Sequence, residues 1–406
     1  MLALLFRQTS RLQFAFRRRV SRSGDASLSV YDMNRTSDPD PTDEQGNRRD
    51  FLTGRSLRDR LERNARAVGE GFLNGLPPEP EAGATLRMAT RAMACQFGLV
   101  LNPGDRDVVM PATDALERVH SLESQMTVYR PESELSLLNA QAAEEAFELT
   151  PNLYGLLKRG QELATETDGA FDMTAAPFIT LWHMARQEDR IPTEDEIADV
   201  SERVGSDKIL FDDESRTVRL KKPGVELNLG GIGKGYALDV IAEDLQTQGI
   251  DSFLLHGGQS TMLAYGNHHG HPGWPIGLRN PLFTQQRLAT ILLTDCALST
   301  SGSNVQFHRF QGKRYGHILD PRTGWPVDEL LSVTVLAPTA ELADALSTAF
   351  FVMGVEKTIK FCDNHPKVSA ILILPPRAGR PIDPILVNVP EHVLFITPHD
   401  LPPADV

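Results

Sequence analysis

The stretch LNLGGIGKGYALD, residues 227–239, joins an apolar segment to closely spaced glycines and then to a helical pattern. With its flanks it predicts a strand, a glycine-rich turn and a helix that ends at Gly249. Such glycines let a ligand approach the backbone, and the helix N-terminus that follows favours an anion or a metal-bound phosphate. Close packing of the helix against the strand is the alternative explanation. The stretch therefore predicts a strand–turn–helix unit and leaves its ligand open.

Two common phosphate-binding loops do not fit this turn. A Walker A loop requires G-x-x-x-x-G-K-[ST], whereas Asn228 stands at the first glycine position and Gly235 follows Lys234. The Rossmann fingerprint G-x-G-x-x-G is also absent from the stretch. The turn therefore belongs to neither of these two nucleotide-binding classes.

Strand patterns elsewhere in the chain occur in runs between separated helices. Helices are predicted over residues 111–129, 150–169 and 341–354, the second with Thr150 as its N-cap. Strands or hairpins are predicted over residues 95–102, 208–222, 225–229, 252–266, 286–295, 315–320, 330–338, 368–376 and 392–398. This arrangement indicates an α+β or mixed α/β fold rather than a doubly wound sheet.

The composition is that of an ordinary soluble protein. The chain has 406 residues, 41% hydrophobic and 23% charged, so it can bury a large core. At roughly 100–200 residues per domain, its length allows two to three domains. The net charge of -13 argues against a nucleic-acid partner, and no apolar run is long enough to span a membrane. The cysteines Cys95, Cys296 and Cys362 show no metal-ligand spacing and no even count for a disulfide framework.

The N-terminal segment differs from the rest of the chain. A basic start followed by a polar stretch rich in Pro and Asp predicts disorder or weak helicity over residues 1–80. Within it, NRRDFLTGR, residues 47–55, resembles a degenerate twin-arginine export motif, but charged residues follow where export needs an apolar region. We therefore expect a cytoplasmic location, with export to the periplasm as the alternative. The folded domain is predicted over residues 85–400.

The segment HILDPRTGWPV, residues 317–327, places His317 and Asp320 at the end of a predicted strand and before a sharp turn. Pro321 and Gly324 favour such a turn, and Asp320 can cap it. By themselves these residues predict a turn and no specific chemistry.

Asp344 and Thr348 lie four residues apart in the apolar helical pattern and therefore share one face of that helix. A carboxylate on a buried face needs a partner, and a hard cation such as Mg²⁺ would be one. From the residues alone, the simpler interpretation is an exposed Asp344 and a Thr348 hydroxyl bonded to the helix backbone. A metal site at this pair is the alternative.

Other segments carry polar residues at turn positions. TDGAFDMT holds Asp172 beside the Gly169 turn, MTVYRPESELSLLN holds Tyr129 before a proline, and STSG covers residues 299–302. Each by itself is typical of an ordinary turn. The histidines of NHHGHPGW, residues 267–274, lie in a polar, glycine-rich loop and are interpreted as solvated rather than as a metal cluster.

Taken in order, six segments make the chain resemble the ApbE family, the FAD:protein FMN transferases. The segments, spread over roughly residues 90–355, are MACQFG, MTVYRPESELSLLN, TDGAFDMT, LNLGGIGKGYALD, STSG followed by HILDPRTG, and ADALSTAFFVMG. The resemblance implies a mixed α/β, T-fold-like core that binds FAD in a cleft, with Mg²⁺ at the pyrophosphate. The implied activity is transfer of FMN from FAD to a Ser or Thr hydroxyl of an acceptor flavoprotein, with release of AMP.

The resemblance also implies roles for individual residues. Lys234 would neutralise phosphate charge, and His317 or an aspartate such as Asp172 would accept the proton of the attacking hydroxyl. The implied Mg²⁺ ligands are Asp344, Thr348 and the backbone carbonyl of Gly233. The residues implied to lie near FAD are Met93, Tyr129, Ala170, Phe171, Asp172, Lys234 and His317.

Two other functions fit the same residues. With water in place of the acceptor hydroxyl, the protein would be a Mg²⁺-dependent FAD pyrophosphatase that yields FMN and AMP. The second alternative is a non-catalytic FAD-binding protein. It is favoured mildly by Met-Ala-Cys at residues 93–95 and by Asn304, which depart from the residues usual in the family.

Overall fold

The computed structural model describes residues 85–102, 108–303, 307–376, 382 and 384–396. The predicted disordered segment 1–80, its twin-arginine-like motif and Asn304 lie outside these ranges, so the predictions about them and about cellular location stay predictions. Across the ranges that are described, no helix combines the length and the apolar character needed to cross a membrane.

Helices and strands both contribute to the fold. The helices, numbered in chain order, are α1 Val109–Met126, α2 Glu134–Gln141, α3 Pro151–Glu166, α4 Ala176–Gln187, α5 Glu194–Ser201, α6 Gly233–Thr247 and α7 Ala340–Asn364. The strands are β1 Leu86–Ala92, β2 Cys95–Leu101, β3 Phe147–Glu148, β4 Ile209–Asp212, β5 Thr217–Leu220, β6 Phe253–Gly257, β7 Thr261–Tyr265, β8 Asn267–His268, β9 His271–Pro272, β10 Trp274–Arg279, β11 Arg287–Leu293, β12 Cys296–Gly302, β13 Phe307–Phe310, β14 Lys313–Gly316, β15 Ser332–Ala337, β16 Ser369–Ile373, β17 Ile385–Val387 and β18 Leu394–Phe395.

An antiparallel sheet of eight strands forms the centre of the fold, in the order β1-β2-β6-β7-β12-β15-β16-β17. Helices α6 and α7 pack against each other and against this sheet. Side chains alternate between the two faces of a strand, so Ala297 and Leu298 on β12 enter different hydrophobic cores. The larger core lies under the helices, and the smaller one contains Trp274 of β10. This is the mixed α/β fold that the sequence predicts.

Two of the predicted helix ends occur at the predicted residues, but the local structure at each end differs from the prediction. Helix α3 begins at Pro151 after Thr150, and Gly169 follows it with φ 73°. The Thr150 side chain makes no capping hydrogen bond to this helix, and its hydroxyl donates to Glu134 Oε2 at 2.9 Å. Helix α7 has a non-helical backbone at its predicted end, Gly354, where φ is 75°, but a further helical segment follows the kink.

The strand predicted before the glycine turn is wrong. Residues 225–229 join no sheet in the described part of the chain. The Asn139 side chain takes the place of a neighbouring strand, since its Nδ2 donates to Leu227 O at 3.0 Å and its Oδ1 accepts from Leu227 N at 2.8 Å. Val225, Leu227 and Leu229 are buried while the residues between them are not. The strand-like alternation therefore reflects burial without strand pairing.

Two further predictions, for residues 299–302 and 315–320, are wrong. STSG is part of strand β12 and pairs with β7 and β15, so it is not a turn. The strand predicted over residues 315–320 ends at Gly316, and beyond it only Leu319 forms an isolated bridge, with Pro326. The bonds Val327 N to Ile318 O and Asp320 N to Trp325 O fold this part into a tight loop.

Candidate active site

A cleft of about 1030 Å³ lies where segments far apart in sequence meet. Its walls come from the turn after α3, the glycine turn before α6, strand β12, the loop after β14 and one face of α7. The structure brings seven of the predicted site residues into this lining. They are Ala170, Phe171, Asp172, Lys234, His317, Asp344 and Thr348.

Asp344 is buried, with 4% of its surface exposed, so the interpretation of an exposed carboxylate is wrong. Its Oδ1 accepts hydrogen bonds from Thr261 Oγ1 at 3.1 Å and from Ser299 Oγ at 3.2 Å. Its Oδ2 accepts from the Gly235 N–H at 3.2 Å. Lys234 Nζ lies 3.4 Å from Oδ1 and 3.3 Å from Oδ2. These donors from three elements hold the carboxylate in one orientation at the edge of the cleft.

Thr348 lies one helical turn after Asp344 and also lines the cleft. Its Oγ1 is 3.3 Å from Ser301 Oγ, which is itself 2.8 Å from Ser347 Oγ. Helix α7 therefore faces β12 through a row of hydroxyl groups. This row reaches both members of the predicted metal pair.

Lys234 is the second residue of α6, directly after the glycine turn. Besides the two Asp344 oxygens, its Nζ contacts Gly230 O at 3.4 Å. Its side chain keeps 24% of its surface exposed, and Lys234 itself lines the cleft. The ammonium group is a point charge well suited to a phosphate.

The oxygen donors at this end of the cleft fit a hard divalent cation. An ionised carboxylate offers about four lone-pair positions, and the hydrogen bonds from Thr261, Ser299 and Gly235 use three of them. Lys234 faces the remaining position through long contacts of a flexible side chain. Mg²⁺ commonly takes only a few protein oxygens and completes its shell with water and substrate phosphate. Asp344 and Thr348 therefore suit such an ion.

Gly233, whose carbonyl is the third predicted ligand, is not among the residues that line the cleft. Gly233 is buried at the start of α6, and the residues just before it that line the cleft are Asn228, Gly230 and Gly231. Metal binding by the Gly233 carbonyl stays a prediction. In the described ranges no three His, Cys, Asp or Glu side chains form a group suited to a metal, either at this end of the cleft or among the histidines of residues 267–274.

Asp172 has both carboxylate oxygens engaged in local structure. Its Oδ1 accepts hydrogen bonds from Thr174 N at 2.8 Å and from Thr174 Oγ1 at 2.6 Å. Its Oδ2 accepts a hydrogen bond from Ser206 N at 2.9 Å. Burial raises the pKa of the carboxyl above its usual value, although these hydrogen bonds act in the opposite direction. Asp172 thus fastens the turn that carries Ala170 and Phe171 to the residues before β4. Its catalytic role stays a prediction.

His317 is presented at the cleft by a closed loop. Asp320 accepts hydrogen bonds from Arg322 N at 2.9 Å, Nε at 2.8 Å and Nη2 at 2.7 Å. The Gly324 N–H donates to Asp320 O at 2.8 Å, and Gly324 has φ 73°, a left-handed conformation that favours glycine. Asp320 therefore caps the turn as predicted. The turn also sets an exposed imidazole at the cleft.

Met93 and Tyr129 are not brought into the cleft lining. Tyr129 is 89% exposed. Met93 lies in the turn between β1 and β2 with φ 48°, and its N–H donates to Glu123 Oε1 at 2.7 Å. The same turn reaches the cleft through Cys95. Contact of Met93 and Tyr129 with FAD stays a prediction.

Several residues of the site escaped the sequence analysis. Thr261 and Ser299 contact Asp344 directly, and His256, whose Nδ1 lies 3.0 Å from Gly258 O, also lines the cleft. The sequence did contain a signal for this strand face, because the two-residue period of a strand places residues 299 and 301 on the same side. It was hidden by the assignment of STSG to a turn.

The fold and the cleft together define a class: a mixed α/β protein whose cleft is lined by a glycine turn, a lysine and a carboxylate–hydroxyl pair. The family model of the ApbE family matches residues 92–372, and the chain belongs to this family. A FAD:protein FMN transferase of Treponema pallidum (strain Nichols) is 32% identical over 284 residues, covering 66% of this chain and 78% of the relative. One of Vibrio cholerae is 32% identical over 262 residues, covering 64% and 78%.

Solved structures of the family share the fold. The ApbE protein of Thermotoga maritima is similar with a TM-score of 0.66 at 29% identity, covering 74% of this chain and 97% of the neighbour. The flavin transferase ApbE of Vibrio cholerae gives a TM-score of 0.66 at 28% identity, covering 75% and 97%. The resemblance inferred from the six sequence segments is thereby confirmed.

Proposed function

We propose that this chain transfers FMN from FAD to a Ser or Thr hydroxyl of an acceptor protein in a Mg²⁺-dependent reaction. The observation that carries the proposal is the cleft that unites Lys234, Asp344 and Thr348 in a chain of the ApbE family. Relatives at 32% identity are FAD:protein FMN transferases, and this supports the same activity here.

The size and backbone of the cleft support a dinucleotide ligand. Its volume of about 1030 Å³ lies at the upper end of the usual range for small-molecule sites, roughly 300–1,000 Å³. A Cβ added at Gly231 would lie 3.3 Å from the Phe171 ring and 3.7 Å from Thr348 Oγ1, so glycine keeps the floor open. The N-terminus of α6 beside this turn favours a pyrophosphate.

The transfer replaces the phosphoanhydride bond of FAD with a phosphoester bond to the acceptor. The acceptor hydroxyl oxygen attacks the phosphorus of the FMN half, and the bond from this phosphorus to the bridging pyrophosphate oxygen breaks. AMP leaves with the bridging oxygen, and the hydroxyl proton passes to a base. Negative charge grows on the phosphoryl oxygens during this step, so Lys234, which lines the cleft, would lower its cost.

Asp344 and Thr348 would hold the Mg²⁺ ion, with the Gly233 carbonyl as the proposed third protein ligand. When bound, the ion would supply positive charge for the pyrophosphate oxygens. The hydrogen bonds from Thr261 and Ser299 would keep the Asp344 carboxylate oriented for this task.

Two residues are candidates for the base. Both oxygens of Asp172 already accept hydrogen bonds from Thr174 and Ser206. His317 is exposed at the cleft on a rigid loop, and neutral imidazole suits proton transfer near pH 7. We favour His317 for the combined task of accepting the proton and positioning the flavin nucleotide.

One incubation separates the proposed activity from its alternatives. Purified protein is mixed with FAD, MgCl₂ and an acceptor protein that has a flavinylation site, and the acceptor is then run on a denaturing gel. A fluorescent acceptor band supports transfer. Free FMN and AMP without such a band would instead identify a pyrophosphatase, and unchanged FAD a binding protein. An Asp344→Ala variant and an EDTA-treated sample serve as controls.

A further inference from the structure

Helices α6 and α7 cap each other with carboxylates. Asp344 of α7 accepts a hydrogen bond from the N–H of Gly235, the third residue of α6, at 3.2 Å. In the opposite direction, Asp239 of α6 accepts from the N–H groups of Ala340 and Glu341, the first residues of α7, both at 2.8 Å. Each helix therefore lends a carboxylate to the N-terminus of the other.

The spacing of the two contacts is the same on both helices. Gly235 and Asp239 are four residues apart on α6, and Ala340 and Asp344 are four residues apart on α7. Four residues make about one helical turn, so the two contacts between the helices lie about one turn apart. We therefore expect a change at one contact to affect the other.

The first turn of α7 does not depend on Asp239 for all its partners. Thr339 Oγ1 accepts from Leu342 N at 3.3 Å, and Thr339 O accepts from Ala343 N at 3.1 Å. Asp239 takes the two N–H groups that the local cap leaves. The helix thus has one cap of its own and one that comes from α6. Only the second joins the two helices.

The helices touch at the level of the backbone. A Cβ added at Gly235 would lie 2.1 Å from Ala340 O and 2.7 Å from the Glu341 Cα. With no side chain between them, the position of α7 relative to α6 depends on the hydrogen bonds at this contact. Lys234 and Asp344 lie on the two helices just beyond it.

We propose that Asp239 is a positioning residue that sets the separation of Asp344 from Lys234 by holding the start of α7 against α6. It does not line the cleft and acts through Asp344. The inference rests on the proposed function, because it treats Asp344 as a Mg²⁺ ligand.

The test compares three variants of the full chain. Asp239→Asn keeps the size but cannot accept from both N–H groups. Asp239→Glu keeps both acceptors and lengthens the arm by one methylene. Thr339→Ala removes the local cap of α7 and leaves the link to α6 in place. For each variant, metal affinity is measured without turnover by Mn²⁺ titration in EPR, next to the Mg²⁺ concentration for half-maximal FAD turnover and the melting temperature.

We expect Asp239→Asn to weaken metal affinity by about tenfold, the lower end of losses seen when a group that orients a metal ligand is removed. Thr339→Ala should lower the melting temperature to a comparable extent with metal affinity within twofold of the wild type. Asp239→Glu should melt near the wild type and still bind metal more weakly. If Asp239→Asn does not fold, the result for Asp239→Glu decides the test.

Two outcomes would overturn the inference. Metal affinity of wild-type strength in Asp239→Asn or Asp239→Glu would reduce Asp239 to an ordinary helix cap. Equal losses of metal affinity in Thr339→Ala and Asp239→Asn would mean that helix stability alone matters. A wild-type protein that binds no Mn²⁺ and leaves FAD intact would overturn the proposed function itself, and this inference with it.

Discussion

Ser299 Oγ donates a hydrogen bond to Asp344 Oδ1 at 3.2 Å, and this contact joins the central strand β12 to helix α7. Two residues further along the strand, Ser301 Oγ lies 3.3 Å from the hydroxyl of Thr348, four residues further along the helix. Two strand residues span about 6.6 Å and four helix residues about 6 Å, so the two spacings match. One strand face therefore supplies a hydroxyl to each member of the proposed metal pair.

Removal of the Asp344 carboxylate should abolish FAD turnover while the protein stays folded. Asp344→Ala deletes the charged oxygen ligand, and Thr348 with one carbonyl cannot hold Mg²⁺ by themselves. The check is AMP release from FAD together with a circular dichroism melt. Asp199→Ala, at an exposed ion pair of α5, is the control and should retain full activity. Near wild-type turnover in Asp344→Ala would refute the metal assignment.

Two glycine substitutions should have opposite effects on stability. In Gly235→Ala the new Cβ would meet Ala340 O at 2.1 Å, so α6 and α7 must separate and both folding and activity should suffer. Gly155→Ala lies on an exposed part of α3 with no heavy atom within 4 Å of the new Cβ. It should stabilise the protein by about 0.5–1 kcal/mol, because alanine is the better helix former. Urea unfolding of both variants measures the difference, and equal midpoints would contradict the proposed helix contact.

Stability near the start of α7 should depend on pH through Glu341. Burial and the neighbouring Asp239 raise the pKa of this carboxyl to about 7, with Glu162 adding to the rise and Arg159 opposing it. A pKa raised by folding means that the contribution to stability is present at acidic pH and is lost as pH rises through about 7.

Glu341→Gln stays neutral and should therefore gain melting temperature relative to the wild type as pH increases from 5 to 8. Thermal melts across this range give the difference at each pH. Glu194→Gln, at the exposed first turn of α5, is the matched control. A flat profile for Glu341→Gln would contradict the raised pKa.

Loss of the His317 imidazole should lower both turnover and FAD affinity. A pure base acts on the acceptor proton, so its removal would lower kcat alone, whereas a positioning group also affects binding. Steady-state kinetics and FAD titration of His317→Ala test both parts. His183→Ala, at an exposed position of α4, serves as the control. Unchanged turnover and FAD affinity in His317→Ala would mean that this loop only shapes the cleft wall.

Deletion of residues 1–80 should leave the domain folded and able to bind FAD. The deleted part has the composition predicted to be disordered, and the family match begins only at residue 92. The melting temperature and FAD affinity of the truncated chain are the measurements. A fall in melting temperature of several degrees would show that the segment belongs to the folded core.

Local patterns predicted four of the seven helices in the described ranges, namely α1, α3, α6 and α7, whereas the chemistry of the site was implied by the resemblance to the ApbE family. Pro151 and Gly169 delimit α3 because their backbone preferences depend on their own covalent structure. The predictions were wrong where a distant residue satisfies the backbone, as Asn139 does for Leu227 in place of a strand. The assignment of STSG to a turn was wrong for a related reason. Small polar residues favour turns locally, but β7 and β15 on either side make this segment a central strand.

The sequence by itself determined the mixed α/β class, the glycine turn, the capped loop at Asp320 and the spacing of Asp344 and Thr348. Each of these depends on residues within a few positions of one another. The tertiary structure alone decided that Asp344 is buried, that Lys234 lies beside it across 110 positions of sequence, and that Tyr129 faces solvent. These facts depend on which faces of the sheet and helices are covered. Burial of the core specifies that arrangement collectively, and no local pattern carries it.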